Sequence, residues 1–515
     1  MKNILKKTFV IVALLFFVFG CGVDMEELNT NPDGITSATP NVLATKLILD
    51  ITRDDIGRTK GFMQPFMHDK YIAWSEFAQD LQYNNIGRTD FSELTRLIEA
   101  KKMVEGLEGF PEGTANSYKA LAHFIRAYNY FKLTMKVGDV PYNEALKGED
   151  EGLFTPVYDT QKTVIMGVLD ELDMADQLFS NGASFDGDMI YGGDPVKWRK
   201  MVNSFQLKVL INLHKKTGDT DVRVVERFNQ IVTSRPIFSS NADNFSLVYK
   251  NAAGQYYPFN EEGNPHSIYP MVSSELTDRL KNLGDYRLFY YAAPSSVQIG
   301  NGYTESDYEA YVGVNPAMEY GQTLDIFSSN DFSAINDRYL ELPQGEPVYL
   351  LSYAQVQFIL AEAAVRGWIS NTAETNYENG IKASMSLVAE NTPDNATYHH
   401  GRIMDATYID NYYSTTPLVQ LGGTTEEQIE QIITQKFLSG YLQSPNTAFF
   451  DNRRTGYPDF EVNPVTNLNI PSDKFPVRWM YPTSELESNT ANVLAAISSQ
   501  YSGNDDTNGV MWILQ

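Results

Sequence analysis

Apolar positions recur at helical spacing over several long stretches of the chain. In ANSYKALAHFIRAYNYFKLTMKV (115–137), Tyr118, Leu121, Ala122, Ile125 and Ala127 to Phe131 form one apolar side, which predicts a helix. Gly138, Asp139 and Pro141 then stop it and turn the chain. A second helix is expected over Tyr158 to Phe179, with Val164, Ile165, Val168, Leu169 and Leu172 inward. Asp194-Pro195 reads as an N-cap followed by a first-turn proline, opening a third helix that runs to about His214. LLSYAQVQFILAEAAVRGW (350–368) predicts a small-residue amphipathic helix closed by Gly367, Ser370 and Asn371, and TAETNYENGIKASMSLVAE (372–390) its partner. A last helix is expected over Thr424 to Gly440, with Thr425 near the N-cap and Glu426 and Glu427 in the first turn. Between these lie 236–345 and 392–423, dense in Tyr, Asn, Gly, Ser and Pro. They are too long for plain connectors and are expected to be ordered loops over a helical scaffold, where binding usually resides.

The start of the chain follows another pattern. Lys2, Lys6 and Lys7 precede the apolar run Phe9 to Phe19, which has the length of a secretory h-region and is too short to span a bilayer. Val18, Phe19 and Gly20 then precede Cys21, the only cysteine of the chain, and resemble a bacterial lipobox. The expectation is a signal peptide over 1–20 that is removed, acylation of Cys21, and a polar tether over 21–40. The remainder, 41–515, is expected to be a single unit. A lone thiol makes no internal disulfide, and a lipidated one supplies no nucleophile.

Charge and chemistry narrow the classes. The formal charge is −25, and loss of residues 1–20 with their three lysines takes it to −28, which argues against nucleic acid. With 43% hydrophobic residues the chain can bury a large core. The 31 Tyr and 28 Phe suggest tyrosine faces at the surface for sugars or peptides, with packing between helices as the alternative. Phosphate loops, G-x-S-x-G and H-E-x-x-H are all absent. His399-His400 is expected in a solvated loop. GNDDTNG (503–509) has the spacing of a calcium loop, but Gln515 stands where the bidentate Glu belongs, so no metal or cofactor is expected. In DNRRTGYP (451–458), Arg453 and Arg454 either clamp an anion or brace the fold through buried ion pairs, and bracing is favoured.

Leu360, Ala361, Ala373, Tyr377 and Gly380 reproduce the residue spacing of a tetratricopeptide helix hairpin. Five further blocks in order, AHFIRAYNYFKLTMKVGDVPYNEAL (122–146), DPVKWRKMVNSFQLKVLINL (194–213), VYLLSYAQVQFILAEAAVRGW (348–368), QKFLSGYLQSPNTAFFDNRRTGYP (435–458) and FPVRWMYPTSELESNTANV (475–493), resemble the SusD/RagB family of outer-membrane nutrient-binding lipoproteins. NTNPDG (29–34) fits as well. The resemblance implies a mostly α-helical fold, with tetratricopeptide-like hairpins as scaffold and long loops with a few short strands on the ligand face. It implies capture of an oligosaccharide, or in some members a peptide, without covalent chemistry. It also implies a partner, a SusC-like TonB-dependent β-barrel transporter that the lipoprotein covers.

Ligand contacts in that family come partly from the region before the first hairpin and partly from the central loops. In this sequence the first region is WSEFAQDLQYNNIGR, which interleaves aromatic faces with amides and a guanidinium: Trp74, Gln79, Tyr83, Asn84, Asn85 and Arg88. The central loops offer Tyr256, Tyr257 and, beside Tyr290, Tyr291. Core packing is the competing reading for Trp74 and Tyr83, and packing is expected for Trp198, Trp368 and Trp479. The competing functions are a cell-surface glycoside hydrolase and an assembly factor for the barrel.

Overall fold

A computed structural model describes residues 38–52, 63–75, 86–370 and 372–515. Most of them are helical. α1 (Pro40–Thr52), α2 (Thr95–Glu105) and α3 (Glu112–Val137) pack in sequence, and α3 pairs along its length with α4 (Gln161–Ser180). α5 (Pro195–Ile211) lies against α4, and α6 (Val224–Ser234) against α5. Asp194 caps α5 as expected, accepting from the amides of Val196 and Lys197, with Pro195 in the first turn. Three helices differ at their ends from the periodic reading. α3 starts at Glu112, three residues early. α4 starts at Gln161 because Tyr158 and Asp159 belong to an extended stretch in which Asp159 bridges Val140 and Thr160 provides the cap. α5 stops at Ile211 and a single 3-10 turn, His214–Lys216, follows.

Among the described residues, four short strands tie distant segments together in pairs. β1 (Ile72–Ala73) and β3 (Met271–Val272) pair antiparallel, as do β2 (Phe245–Leu247) and β4 (Val348–Leu351). β4 corrects the expectation of one helix from residue 350. Its burial alternates with period two, Leu351 pairs with Phe245, and Ser352 then caps a helix that begins only at Tyr353. That helix, α7 (Tyr353–Val365), packs on α8 (Ala373–Glu390) to make the expected hairpin. α9 (Thr425–Ser439) lies on both, and α10 (Thr447–Thr455) follows it. The cap of α9 is Thr424, one residue before the expected Thr425, in a full capping box with Glu427.

The core has two main aromatic centres. In the first, Phe124 on α3 meets Trp198 and Phe205 on α5 edge-on, each at 5.6 Å. Trp198, Trp368 and Trp479 all pack inside, at 0, 6 and 7% exposure. The second centre is built largely of tyrosine: Tyr257, Tyr339, Tyr441, Tyr291 and Tyr71 lie in one buried cluster around α7, α8 and α9. Each side chain of this size contributes roughly 1.5–3 kcal/mol when buried.

Buried arginines brace the long segments. Arg287 is fully buried and pairs with Asp285 at 2.6 Å while donating to Gln435 on α9 and Ser384 on α8. Arg338 pairs with Glu346 at 2.6 Å and donates to Thr392. Arg454 on α10 reaches both Glu362 on α7 and Asp451, at 2.6 and 2.8 Å. So Arg454 of DNRRTGYP braces the fold, and Arg453 lies over the Phe450 ring at 4.4 Å while donating to the Val477 carbonyl. His399 and His400 do not sit in a solvated loop. A short helix, Ala396–His399, and the positive φ of His400 turn both rings inward to 6% exposure each, where His400 Nε2 lies 3.2 Å from Asn336 Nδ2.

Candidate ligand-binding surface

The pairing of β1 with β3 brings two distant loops together. Ile72 faces Val272 and Ala73 faces Met271, so the residues just beyond, Trp74 and Tyr269, meet. Their rings lie nearly parallel, 5° apart in tilt and 6.1 Å between centroids. Trp74 is held inside at 1% exposure, while Tyr269 is 39% exposed. His266 lies 6.1 Å from the Trp74 ring, and Ile268 is exposed between them in sequence. The loop that carries His266 and Tyr269 is tied to itself and to the frame. Asn260 donates to the Leu340 carbonyl at 2.9 Å, the Asn264 amide to the Asn260 carbonyl at 2.8 Å, and Ser267 to the Asn264 carbonyl at 2.8 Å. The buried Asn264 Nδ2 has no hydrogen-bond partner among the described residues. A flat ring on a fixed base, beside an imidazole, suits the C–H face of a pyranose better than it suits covalent chemistry.

The expected site residues divide. Gln79, Tyr83, Asn84 and Asn85 lie outside the described residues. Trp74 belongs to the platform, but as its buried support. Arg88 is committed to the C-terminal region: Nη1 donates to the Tyr481 carbonyl at 2.7 Å and to Asp505 at 2.8 Å, next to the backbone bridge between Arg88 and Met480. Tyr256 is half-buried. Tyr257 and Tyr291 are not surface residues. Tyr291 is 2% exposed, with its ring 4.7 Å from that of Tyr441 and its hydroxyl donating to the Leu438 carbonyl. Tyr257 is fully buried and stacks on Tyr339 at 5.8 Å. Packing occupies these rings, the alternative that the tyrosine content left open. His266 and Tyr269 were missed, although Pro265 and Pro270 bracket them in a segment already marked as an ordered loop.

The polar residues that the sequence marked for metal or charge chemistry are engaged within the fold. No group of three His, Cys, Asp or Glu among the described residues is placed to hold a metal. In GNDDTNG, Asp505 pairs with Arg478 at 2.8 Å and Asp506 accepts from the Asn508 amide. Glu362, a buried carboxylate paired with Arg454, is a brace. Burial would raise its pKa, but the charge and hydrogen bonds of Arg454 outweigh this and hold it at about 2. No helix among the described residues is long and apolar enough to cross a membrane.

Comparison with known proteins extends this picture. Residues 32–482 match the SusD-like family described as starch-binding, associating with the outer membrane. A SusD homologue from Bacteroides fragilis NCTC 9343 superimposes with a TM-score of 0.89 at 44% identity, over 93% of this chain and 100% of that one. A second SusD homologue from the same strain gives 0.81 at 36% identity, again over 93% and 100%. A chitin-binding protein gives 0.74 at 26% identity over 92% and 100%. A comparison with curated proteins finds no match. The family match over most of the length, and two homologous structures sharing its helical frame, show that this chain belongs to the SusD-like family of outer-membrane-associated nutrient-binding proteins.

Proposed function

We propose that this protein captures an oligosaccharide at the cell surface and passes it, unchanged, to a SusC-like TonB-dependent transporter. The observation that carries the reading is the Trp74–Tyr269 pair, a rigid aromatic platform with one supported and one exposed ring. The starch-binding description of the family and the chitin-binding relative both support a glycan over other ligands. Acylation of Cys21 anchors the protein to the outer membrane, facing outward, and Cys21→Ser releases it without altering ligand affinity.

The test is a titration of malto- and chito-oligosaccharides, and of peptides, against the protein and Tyr269→Ala. Loss of the platform ring is expected to weaken glycan binding about tenfold, with only a small fall in melting temperature because 39% of the residue is exposed. Equal affinity of the two proteins discards the site. Peptide binding without glycan binding replaces the ligand class, and product appearing in the titration establishes a hydrolase instead.

A further inference from the structure

A recess with a volume of about 470 Å³ opens between α8, α9 and the loop 416–424 that leads into α9. Small-molecule sites fall in the range of about 300–1,000 Å³. Glu427, Glu430, Gln431, Thr434 and Gln435 line the recess from one face of α9, at helical spacings of three and four. Tyr377 of α8 faces them, and Leu283 and Leu418 supply apolar edges. The loop is tied in place, since the Gly422 amide donates to Gln431 Oε1 at 3.0 Å and the Leu421 amide to the Tyr413 hydroxyl at 3.1 Å. A backbone N–H can only donate, so Gln431 turns its oxygen to Gly422, and its Nε2 has no partner among the described residues. Gln435 is fixed in the same way. Its Oε1 accepts from Arg287 Nη2 at 2.7 Å, again a group that only donates, and its Nε2 has no partner among the described residues. Gln435 and Tyr377 are each 1% exposed, and the Tyr377 hydroxyl makes no hydrogen bond to a described residue. Glu427 Oε2 is engaged by the amide and hydroxyl of Thr424, at 2.6 and 2.8 Å. Glu430, one turn on, is exposed and has neither a hydrogen bond nor an ion pair among the described residues. No Lys or Arg among the described residues lines the recess.

Donors on buried side chains are costly to leave unmatched. We propose that this recess binds a small amino sugar, its hydroxyl oxygens on the two free amide groups and the Tyr377 hydroxyl, and its ammonium on Glu430. The buried donors call for oxygen acceptors, which sugar hydroxyls supply. The free carboxylate calls for a cation, which no side chain lining the recess supplies. A neutral sugar meets the first demand alone and a plain alkylamine the second alone. An anion would meet Glu427 and Glu430 at like charge. Leu283 and Leu418 offer apolar contact to the C–H surface of the ring. The recess shares no residue with the Trp74–Tyr269 platform, so the proposal stands independently of the function assigned there.

The experiment is calorimetric titration of the full chain with glucosamine and with glucose, at a pH of about 6, where the amine is protonated and Glu430 ionised. Glucosamine is expected to bind about fivefold more tightly than glucose, the worth of one ion pair at an exposed carboxylate. Glu430→Gln, on the surface and without a partner to lose, is expected to erase that difference and to leave glucose affinity as it was. Tyr377→Phe removes a hydroxyl that bonds nothing within the described residues, so the protein is expected to stay folded and to bind both sugars about fivefold more weakly. Tyr269→Ala, which removes the platform ring, is expected to keep the preference for glucosamine. The proposal is overturned if glucosamine does not bind, if the two sugars bind equally, if Glu430→Gln keeps the preference, if Tyr377→Phe leaves both affinities unchanged, or if Tyr269→Ala abolishes the preference.

Discussion

Gly380 has no room for a side chain. A Cβ built on it would lie 2.6 Å from the Phe358 ring, so the absence of one lets α8 sit directly on α7. Gly380→Ala is expected to cost about 1–3 kcal/mol, read as a lower midpoint in urea, because the ring is fixed in the core and must move. Glu362 predicts a pH effect of definite sign. Its folded pKa of about 2 lies below the ordinary value of 4.5, so its stabilisation is fully present above that value and is lost as the pH falls toward about 2. The contribution is about 3 kcal/mol for a group this buried. Urea titrations over that range are expected to lose this part of the stability in the parent protein and not in Glu362→Gln. The variant is weaker at neutral pH, because Arg454 is left buried with only Asp451. Individual residues were the hardest scale to read from sequence: the same letter, Tyr, stands for a surface ring at 269 and for core rings at 257 and 291.

At the scale of elements, helices were legible where a period of 3.6 coincided with a cap. Asp194 and the acidic first turn of α9 announced two helix starts to within a residue. Thr424→Ala is expected to cost about 1 kcal/mol in thermal unfolding, since it removes the side chain that accepts from the Glu427 amide. The strands were not legible. VYLL is apolar and short, and its partner Phe245–Leu247 lies far away in the chain, so local periodicity could not separate it from the helix that follows. The platform was hidden for the same reason. Trp74 was a candidate from its own segment, but only the pairing of β1 with β3 supplies Tyr269.

Across the whole molecule, the long segments that looked like loops are held by the buried Arg287 and Arg338, which pair with Asp285 and Glu346 close by in the chain and donate hydrogen bonds to Ser384 on α8, Gln435 on α9 and Thr392 just beyond α8. Together with the short helices and strands within these segments, this is why they can present a rigid aromatic surface. The SusD-like frame was legible because its blocks recur in order along the sequence; which rings face outward was not, because that depends on contacts between blocks. The tyrosine-built core has one more consequence. Burial above all holds the hydroxyls of Tyr71, Tyr257 and Tyr339 well above their usual value of 10. They therefore favour the folded state below that pH, and this support is withdrawn as alkalinity rises beyond it. Ionised phenol absorbs in the ultraviolet where neutral phenol does not. The core thus carries its own optical indicator: in an alkaline titration these rings are expected to stay un-ionised past a pH of about 10, then to appear together in one step as the fold opens.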